Sequence, residues 1–247
     1  MKAVDAVGKQ VDWFAIDFVT DRNNLRKLLR WTRGGTGQSH DFRIDMELAG
    51  ERTVLLNIFG AHKTYSGIGT GYGFSFEHET TVPVPGCEDS IGHCRIVKYD
   101  FFGLNMMVRF EVDACLPSDE GATELDNLAN SLATLDVASE TASTGGIHII
   151  RAGSEVPQQS LIELKTTKRS KHVIWSEVFP QLHLSQTPWF YVGFHENGTS
   201  SEVRITSILE MEEQRKNAEA QLRKLGQTLE MIQELAIAHG TETHLSL

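Results

Sequence analysis

Two short segments of this sequence place acidic residues and a lysine at spacings that suit chemistry on a phosphodiester. Around Glu111 and Asp113, apolar and polar residues alternate, so a half-buried strand would carry both carboxylates on one face. The same alternation later in the chain puts Glu163 and Lys165 on one face of a second strand. Mg²⁺ prefers hard oxygen ligands, and an ammonium group can orient water or stabilise developing charge. Each segment alone is also typical of a strand with solvated charges, but the pair in this order indicates a catalytic site.

Basic residues are concentrated in two other places. The segment 17–31 has leucines at helical spacing and a basic opposite face, which predicts an amphipathic helix. The densest basic cluster follows the Glu163 strand and includes Arg169 and Lys171. We expect both to contact RNA phosphates, although a solvated helix face is the ordinary alternative.

Composition limits the classes of protein that fit. The chain has 247 residues and 40% hydrophobic content, which predicts one domain, 1–247, with one core. Its formal net charge of −10 argues against a surface coated in basic residues for non-specific nucleic-acid binding. The three cysteines form no CxxC pair, and no window is long and apolar enough to span a bilayer. These features predict a cytoplasmic protein.

The remaining pattern predicts strand hairpins and helices. Predicted strands are 42–48, 53–59, 95–102, 106–114, 161–166, 190–194 and 202–206. A helix is expected to end at Pro180, and the small, polar residues of 117–160 predict a flexible insertion. The segment 207–238 predicts a C-terminal helix with a heptad-like apolar seam, which would pack on the same domain or on a second subunit. The expected state is therefore a monomer, or a dimer through this helix.

Four motifs resemble those of the decapping exoribonuclease family, within the PD-(D/E)XK nuclease superfamily. The arginine that opens the family's basic helix maps to Arg22. The family's Gly-Tyr-x-Phe-Glu motif is similar to the segment ending at Glu77, with a two-residue insertion. Its ExD motif falls on 111–113 and its ExK motif on 163–165.

This resemblance implies an α/β (α+β) fold in which a central mixed β-sheet is flanked by helices, with a long C-terminal helix. It also implies a nuclease that holds Mg²⁺ or Mn²⁺ through Glu111, Asp113 and Glu163. Lys165 would complete the catalytic set.

One position departs from that family. Its members carry a glutamine two residues after the tryptophan of the second helix, whereas this chain has Glu177 after Trp175. With Glu77 and the acids of the two motifs, Glu177 makes five potential negative charges against Arg22 and Lys165. An acidic pocket without metal would be a good receptor for a guanidinium, which pairs with carboxylates in a planar, bidentate fashion.

The short chain, its Asp-Phe-Val-Thr-Asp-Arg-Asn-Asn-Leu segment and its leucine-seamed last helix resemble a fungal group of arginine-containing cyclodipeptide synthases. That resemblance implies an aminoacyltransferase of secondary metabolism that joins arginine from arginyl-tRNA to a second amino acid and needs no cofactor. We expect this function first, with Arg22, Glu77, Glu177, Arg169 and Lys171 binding substrate. The alternatives are a metal-dependent RNA 5′-end nuclease or decapping enzyme, and an inactive RNA-binding relative. RNA is the expected partner in each case, and neither DNA nor a membrane is expected.

Overall fold

The computed structural model describes residues 11–34, 42–58, 71–84, 87–117, 142–144, 147–149, 156–241 and 244–247. Four α-helices lie within these ranges: α1 (Arg22–Thr32), α2 (Gly73–Thr80), α3 (Trp175–Ser185) and α4 (Glu212–His239). No helix in this part of the chain is long and apolar enough to cross a membrane. Most of the insertion predicted at 117–160 lies outside the described residues.

The strands of the described ranges form two main sheets and one small hairpin. The strands are β1 (Phe18–Asp21), β2 (Ile44–Ala49), β3 (Thr53–Ile58), β4 (Cys94–Phe101), β5 (Leu104–Glu111), β6 (Ala114–Cys115), β7 (Ala142–Thr144), β8 (Ile147–Ile149), β9 (Leu161–Lys168), β10 (Trp189–Glu196), β11 (Thr199–Ser207) and β12 (Leu245–Ser246). The larger sheet has the order β12-β2-β3-β1-β5-β4, and the second has the order β11-β10-β9-β6. Strands β7 and β8 pair only with each other in the described chain.

Both main sheets are mixed. In the larger sheet β1 runs parallel to β3 and β5, while β2–β3 and β4–β5 are antiparallel hairpins. In the second sheet β9 runs parallel to β10, and β10–β11 is an antiparallel hairpin. A large mixed sheet flanked by helices, one of them long and near the C-terminus, confirms the predicted fold class.

The chain passes from one sheet to the other at the ExD motif. Strand β5 ends at Glu111, and β6 begins at Ala114. Strand β6 then pairs with β9, which carries the ExK motif. The two motifs are therefore brought together by a junction between sheets, and not by neighbouring strands of one sheet.

Helix α4 supports the core from one side. Its apolar seam is buried within this chain and consists of Ala218, Leu222, Leu225, Leu229, Ile232 and Ala236. It packs against α1 and α3, and each fully buried leucine contributes about 1.5–3 kcal/mol. Because the seam is covered by the same chain, the predicted dimer contact through this helix has no support.

A buried carboxylate ties α4 to the larger sheet. Asp17 is 1% exposed and accepts hydrogen bonds from the backbone N–H of Asn105, at 2.8 Å, and from Gln233 of α4, at 3.0 Å. Arg52 also donates to it. A buried charge needs such partners, so these contacts fix α4 against β1 and the start of β5.

The helix expected to end at Pro180 continues for five further residues, to Ser185. Proline has no N–H and leaves the carbonyl four residues earlier without its helical partner. In this chain that carbonyl belongs to Ser176, and Nη2 of Arg33, the residue directly after α1, donates to it at 2.6 Å. A side chain from a distant part of the sequence thus satisfies the carbonyl that the proline leaves without a partner.

Candidate active site

Glu163 lies at the centre of the candidate site. It sits on β9, is only 3% exposed and accepts hydrogen bonds from three side chains. Arg22 Nη1 donates to Oε2 at 2.9 Å, Lys165 Nζ donates to Oε1 at 2.5 Å, and Gln181 donates to Oε1 as well. Burial raises the pKa of Glu163, but Lys165 and Arg22 outweigh it, so the pKa lies below its ordinary value. Glu163 is therefore ionised at neutral pH.

Asp113 lies beside it, between β5 and β6. Its Oδ2 accepts the backbone N–H of Leu164 at 2.8 Å, which links the sheet junction to β9. Burial raises the pKa of Asp113 to about 7, and the negative charge of Glu163 adds to the effect. Asp113 is consequently an acid that changes protonation near neutral pH, as perturbed groups at functional sites often do.

Two further acids, Glu77 and Glu111, belong to the same set of carboxylates. Glu77 is half-buried on α2, and its pKa is raised by burial and then by the charges of Glu111 and Glu163. Glu111 is exposed at the end of β5. The glutamate at 77 was predicted from its motif alone, and the structure brings it into the electrostatic field of both the ExD and the ExK motifs.

These acids outnumber the cations near them. The four carboxyl groups of Glu77, Glu111, Asp113 and Glu163 face Lys165 and Arg22, and the raised pKa values of Glu77 and Asp113 are consistent with that surplus. The donor set suits Mg²⁺ or Mn²⁺, since both prefer carboxylate oxygens. In the present side-chain conformation, however, no three His, Cys, Asp or Glu residues of the described chain form a metal-binding group. The carboxylate of Glu163 is held instead by protein cations and an amide.

Glu177 does not lie among these acids. It sits in the first turn of α3 and pairs with three arginines of the α1 segment: Arg30 at 2.7 Å, Arg33 at 2.8 Å and Arg26 at 3.6 Å. Burial raises its pKa, but the arginines outweigh burial and the net pKa is lowered. Glu177 does contact guanidinium groups, yet they belong to this chain and join α1 to α3.

The two basic residues predicted to contact substrate lie in the exposed turn after β9. The backbone N–H of Arg169 donates to the backbone carbonyl of His195 at 3.0 Å, and that of Lys171 donates to the backbone carbonyl of Lys168 at 2.8 Å. Both side chains are exposed. Arg22 differs from them, because it is mostly buried against Glu163.

Sequence reasoning missed two polar residues of α3. Gln181 and Ser185 are both buried, and they lie four residues apart on one helix face. Gln181 donates to Glu163, and Arg22 Nη1 donates to Ser185 Oγ at 3.3 Å. Ending the helix at Pro180 hid this face. A helix continued through the proline shows two polar residues, one turn apart, among apolar ones.

Comparison with known proteins places the chain in a family. Residues 1–245 match the model of a family described as Domain of unknown function (DUF8563). The chain belongs to this family. No curated protein matches the chain at the sequence level.

Solved structures of similar fold include Rai1 and Dxo1 proteins of yeasts. S. pombe Rai1 aligns with a TM-score of 0.65 and 15% identity, over 99% of this chain and 71% of Rai1. Candida albicans Rai1 in complex with pU5-Mn²⁺ aligns with a TM-score of 0.62 and 13% identity, over 100% of this chain and 68% of that one. K. lactis Dxo1 in complex with manganese aligns with a TM-score of 0.58 and 9% identity, over 100% of this chain and 66% of that one. At these identities the likeness shows the fold.

These structures correct the function expected first. Rai1 and Dxo1 belong to the decapping exonuclease family, with the PD-(D/E)XK-type fold that the motifs resemble. The prediction of an arginine-containing cyclodipeptide synthase, with its aminoacyltransferase class, is therefore wrong. The expectation that no cofactor is needed falls with it, because similar structures contain manganese.

Proposed function

We propose that this chain is a divalent-metal-dependent hydrolase that acts at the 5′ end of RNA. The observation that carries the proposal is the set of four acids, Glu77, Glu111, Asp113 and Glu163, in which Glu163 is buried and the pKa of Asp113 is raised to about 7. Metal-dependent hydrolysis of a phosphodiester uses carboxylates to hold Mg²⁺ or Mn²⁺, and a cation beside them can stabilise developing charge. The fold likeness to Rai1 and Dxo1, and the RNA and manganese named for the C. albicans complex, support the same function.

In this proposal Asp113, Glu163 and Glu111 hold the metal, with Glu77 beside them. A bound Mg²⁺ or Mn²⁺ would supply Lewis-acid stabilisation of charge on the phosphate. One divalent ion would also balance the four carboxylates against Arg22 and Lys165, and it would favour the ionised form of Asp113.

The cations around Glu163 have separate tasks. Arg22 is 12% exposed and fixes Glu163 from α1. The side chain of Lys165 is 40% exposed, so its ammonium can reach both Glu163 and a ligand in solvent. Lys165 is therefore the residue that would orient water or stabilise a phosphate oxygen. Gln181 holds Glu163 from α3 and keeps its carboxylate in place.

The test uses RNA with a 3′ label and either a 5′ monophosphate or a 5′ cap, with Mn²⁺ or with EDTA. We expect cleavage only with metal, and a loss of more than about 100-fold in Glu163→Gln or Asp113→Asn. Glu230→Gln, an exposed acid of α4, is the matched control and should behave as wild type. Mn²⁺ binding, followed by electron paramagnetic resonance, gives a readout that does not depend on activity. Cleavage that survives EDTA and both substitutions would overturn the proposal.

One observation favours a second function, an RNA-binding protein without catalysis. The Glu163 carboxylate is already satisfied by Arg22, Lys165 and Gln181, and the described residues form no metal-binding group. If this second function is correct, the protein binds RNA and leaves it intact at saturating Mn²⁺, and the Mn²⁺ signal is that of the free ion.

In both functions the exposed turn after β9 contacts RNA phosphates. Replacing Arg169 and Lys171 with Glu should weaken RNA binding and lower its salt dependence by about one unit of slope for each lost phosphate contact. The same reversal at Arg215 and Lys216, both exposed on α4, is the control. Equal effects of the two reversals would mean that the protein attracts RNA only through its overall charge.

A further inference from the structure

A cleft lies between helix α2 and the β10–β11 hairpin. It has a volume of about 470 Å³ and is lined by aromatic and small polar side chains, including Tyr72, Phe76, Thr166, His195 and Ser201. In the parallel pairing of β9 with β10, Glu163 faces Phe190 while Thr166 faces Gly193, three residues further along each strand. Because side chains alternate between the faces of a sheet, this places the cleft on the face opposite Glu163 and Lys165. The volume is within the range of small-ligand sites.

Two glycines make room for the aromatic side of the cleft. A Cβ at Gly193 would lie 2.6 Å from Cε2 of Phe76, and a Cβ at Gly198 would lie 2.6 Å from Cε1 of Tyr72. The rings of Phe76 and of Tyr72, which caps the start of α2, therefore pack directly on the backbone of the hairpin. Tyr72 is 41% exposed, so part of it remains open to a ligand.

His195 contributes a buried polar atom to the wall of the cleft. The residue is 7% exposed, and its Nδ1 is buried without a hydrogen bond to any described residue. The Tyr72 ring holds the imidazole edge-on, at 4.8 Å between centroids and 65° between planes. Buried polar atoms nearly always have a partner, and His195 is one of the residues that line the cleft, so a ligand bound there is the candidate partner.

The charges around the cleft indicate where a neutral part and an anionic part of such a ligand would lie. Glu79 and Glu202 also line it, and they would repel an anion. The basic turn that contains Lys168 and Arg169 adjoins the His195 end: Lys168 is the strand partner of His195, and Arg169 Nη1 donates to Ser201 Oγ at 3.5 Å. The cleft thus suits a neutral, planar group with hydrogen-bonding edges, with its phosphate lying outside at the basic turn.

We infer that this cleft binds one nucleobase of a single-stranded RNA. The base stacks on Tyr72 and hydrogen-bonds to His195 and the hydroxyl groups, which is how unstacked bases are generally recognised. The choice of RNA as the ligand rests on the proposed function. The inference adds a base-binding subsite to that function. Phe76 precedes Glu77 on α2, and Thr166 follows Lys165 on β9, so the subsite and the candidate active site share both elements.

The test measures equilibrium binding by fluorescence anisotropy, in EDTA so that no metal-dependent cleavage occurs. Two probes are compared: a ten-nucleotide single-stranded RNA, and an oligomer of the same length whose sugars carry no bases. Wild type should bind the RNA more tightly than the abasic oligomer. Tyr72→Leu should lose about ten-fold in affinity for RNA, in the range of one lost stacking contact, and should bind the abasic oligomer as wild type does.

The matched control is Phe74→Leu, because Phe74 is an aromatic residue only two positions away from Tyr72 but is 81% exposed and does not line the cleft. His195→Gln is the second variant, and circular dichroism confirms that all variants fold. The inference is overturned if wild type does not prefer RNA to the abasic oligomer, or if Tyr72→Leu and Phe74→Leu have equal effects. A parallel cleavage assay separates the two proposals: binding that depends on Tyr72 without cleavage refutes only the nuclease, and cleavage with unchanged binding refutes only the subsite.

Discussion

Replacing Asp113 with asparagine should stabilise the metal-free protein above neutral pH. The pKa of Asp113 is 3.8 in the unfolded chain and about 7 in the folded protein. Between these values the folded protein holds a proton that the unfolded chain releases, so stability falls as pH rises from about 4 to about 7 and then levels off. Asparagine cannot ionise, and it removes this loss.

The magnitude follows from the two pKa values and one hydrogen bond. The difference between 3.8 and about 7 corresponds to about 4 kcal/mol at pH 8. Asparagine can keep the bond from the N–H of Leu164, but a neutral acceptor is weaker than a carboxylate, which offsets about 1–2 kcal/mol. We expect a net stabilisation on the order of 2 kcal/mol at pH 8 and little at pH 4.

The assay is urea unfolding of wild type and Asp113→Asn in EDTA, at pH 4, 6 and 8. Asp89→Asn, an exposed acid of the described chain, is the control and should show no such pH dependence. Under the proposed function the order should reverse with Mn²⁺, because a bound ion would stabilise wild type, and the variant would lack one of the proposed ligands. A variant that is less stable than wild type at pH 8 in EDTA, or a difference that is the same at every pH, would refute the reasoning.

Three further predictions concern single substitutions. Glu163→Gln removes the buried charge that pairs with Arg22 and should lower the free energy of unfolding by about 3 kcal/mol at pH 7. Because the pKa of Glu163 is lowered on folding, this loss should shrink below pH 4.5 in urea unfolding. A loss that is the same at every pH would contradict the prediction. Gly193→Ala brings a Cβ to 2.6 Å from Phe76 and should lower the free energy of unfolding by about 1–3 kcal/mol. In a double-mutant cycle Phe76→Leu should restore part of this loss, and simple additivity of the two substitutions would argue against the contact. Glu177→Gln weakens ion pairs that are partly exposed, so thermal unfolding should show a loss of stability of about 1 kcal/mol or less. RNA cleavage should not change, and a large loss of cleavage would indicate that Glu177 belongs to the active site.

The period-two alternation located the strands β5 and β9 but not the junction between them. It places Glu111 and Asp113 on one face, and the pattern continues without a break past the end of β5. In the structure β5 ends at Glu111, which is exposed, whereas Asp113 bends toward β9 and accepts the N–H of Leu164. Local periodicity carries no sign of such a change of sheet, since both strands obey the same alternation.

Contacts between distant segments explain the other differences. A helix passes through Pro180 because Arg33 satisfies the carbonyl of Ser176, 143 residues away in the sequence. The charge count grouped Glu177 with the acids of the motifs, whereas in the structure three arginines from a distant segment pair with it. The motifs supplied the acids of the candidate site, but only the tertiary structure shows which cations pair with Glu163 and Glu177.

Strand β12 protects an edge of the larger sheet. It pairs with β2 at Met46 and Asp45, and Leu247 exchanges two backbone hydrogen bonds with Ile44, at 2.9 and 3.2 Å. The opposite edge, β4, exposes Lys98 and Asp100, whose charges discourage pairing with another molecule. The edge of β2 has buried Ile44 and Met46 instead, so losing β12 would leave an apolar edge open to strand pairing between molecules. A chain shortened before residue 244 should therefore aggregate during refolding, even if its candidate active site is complete.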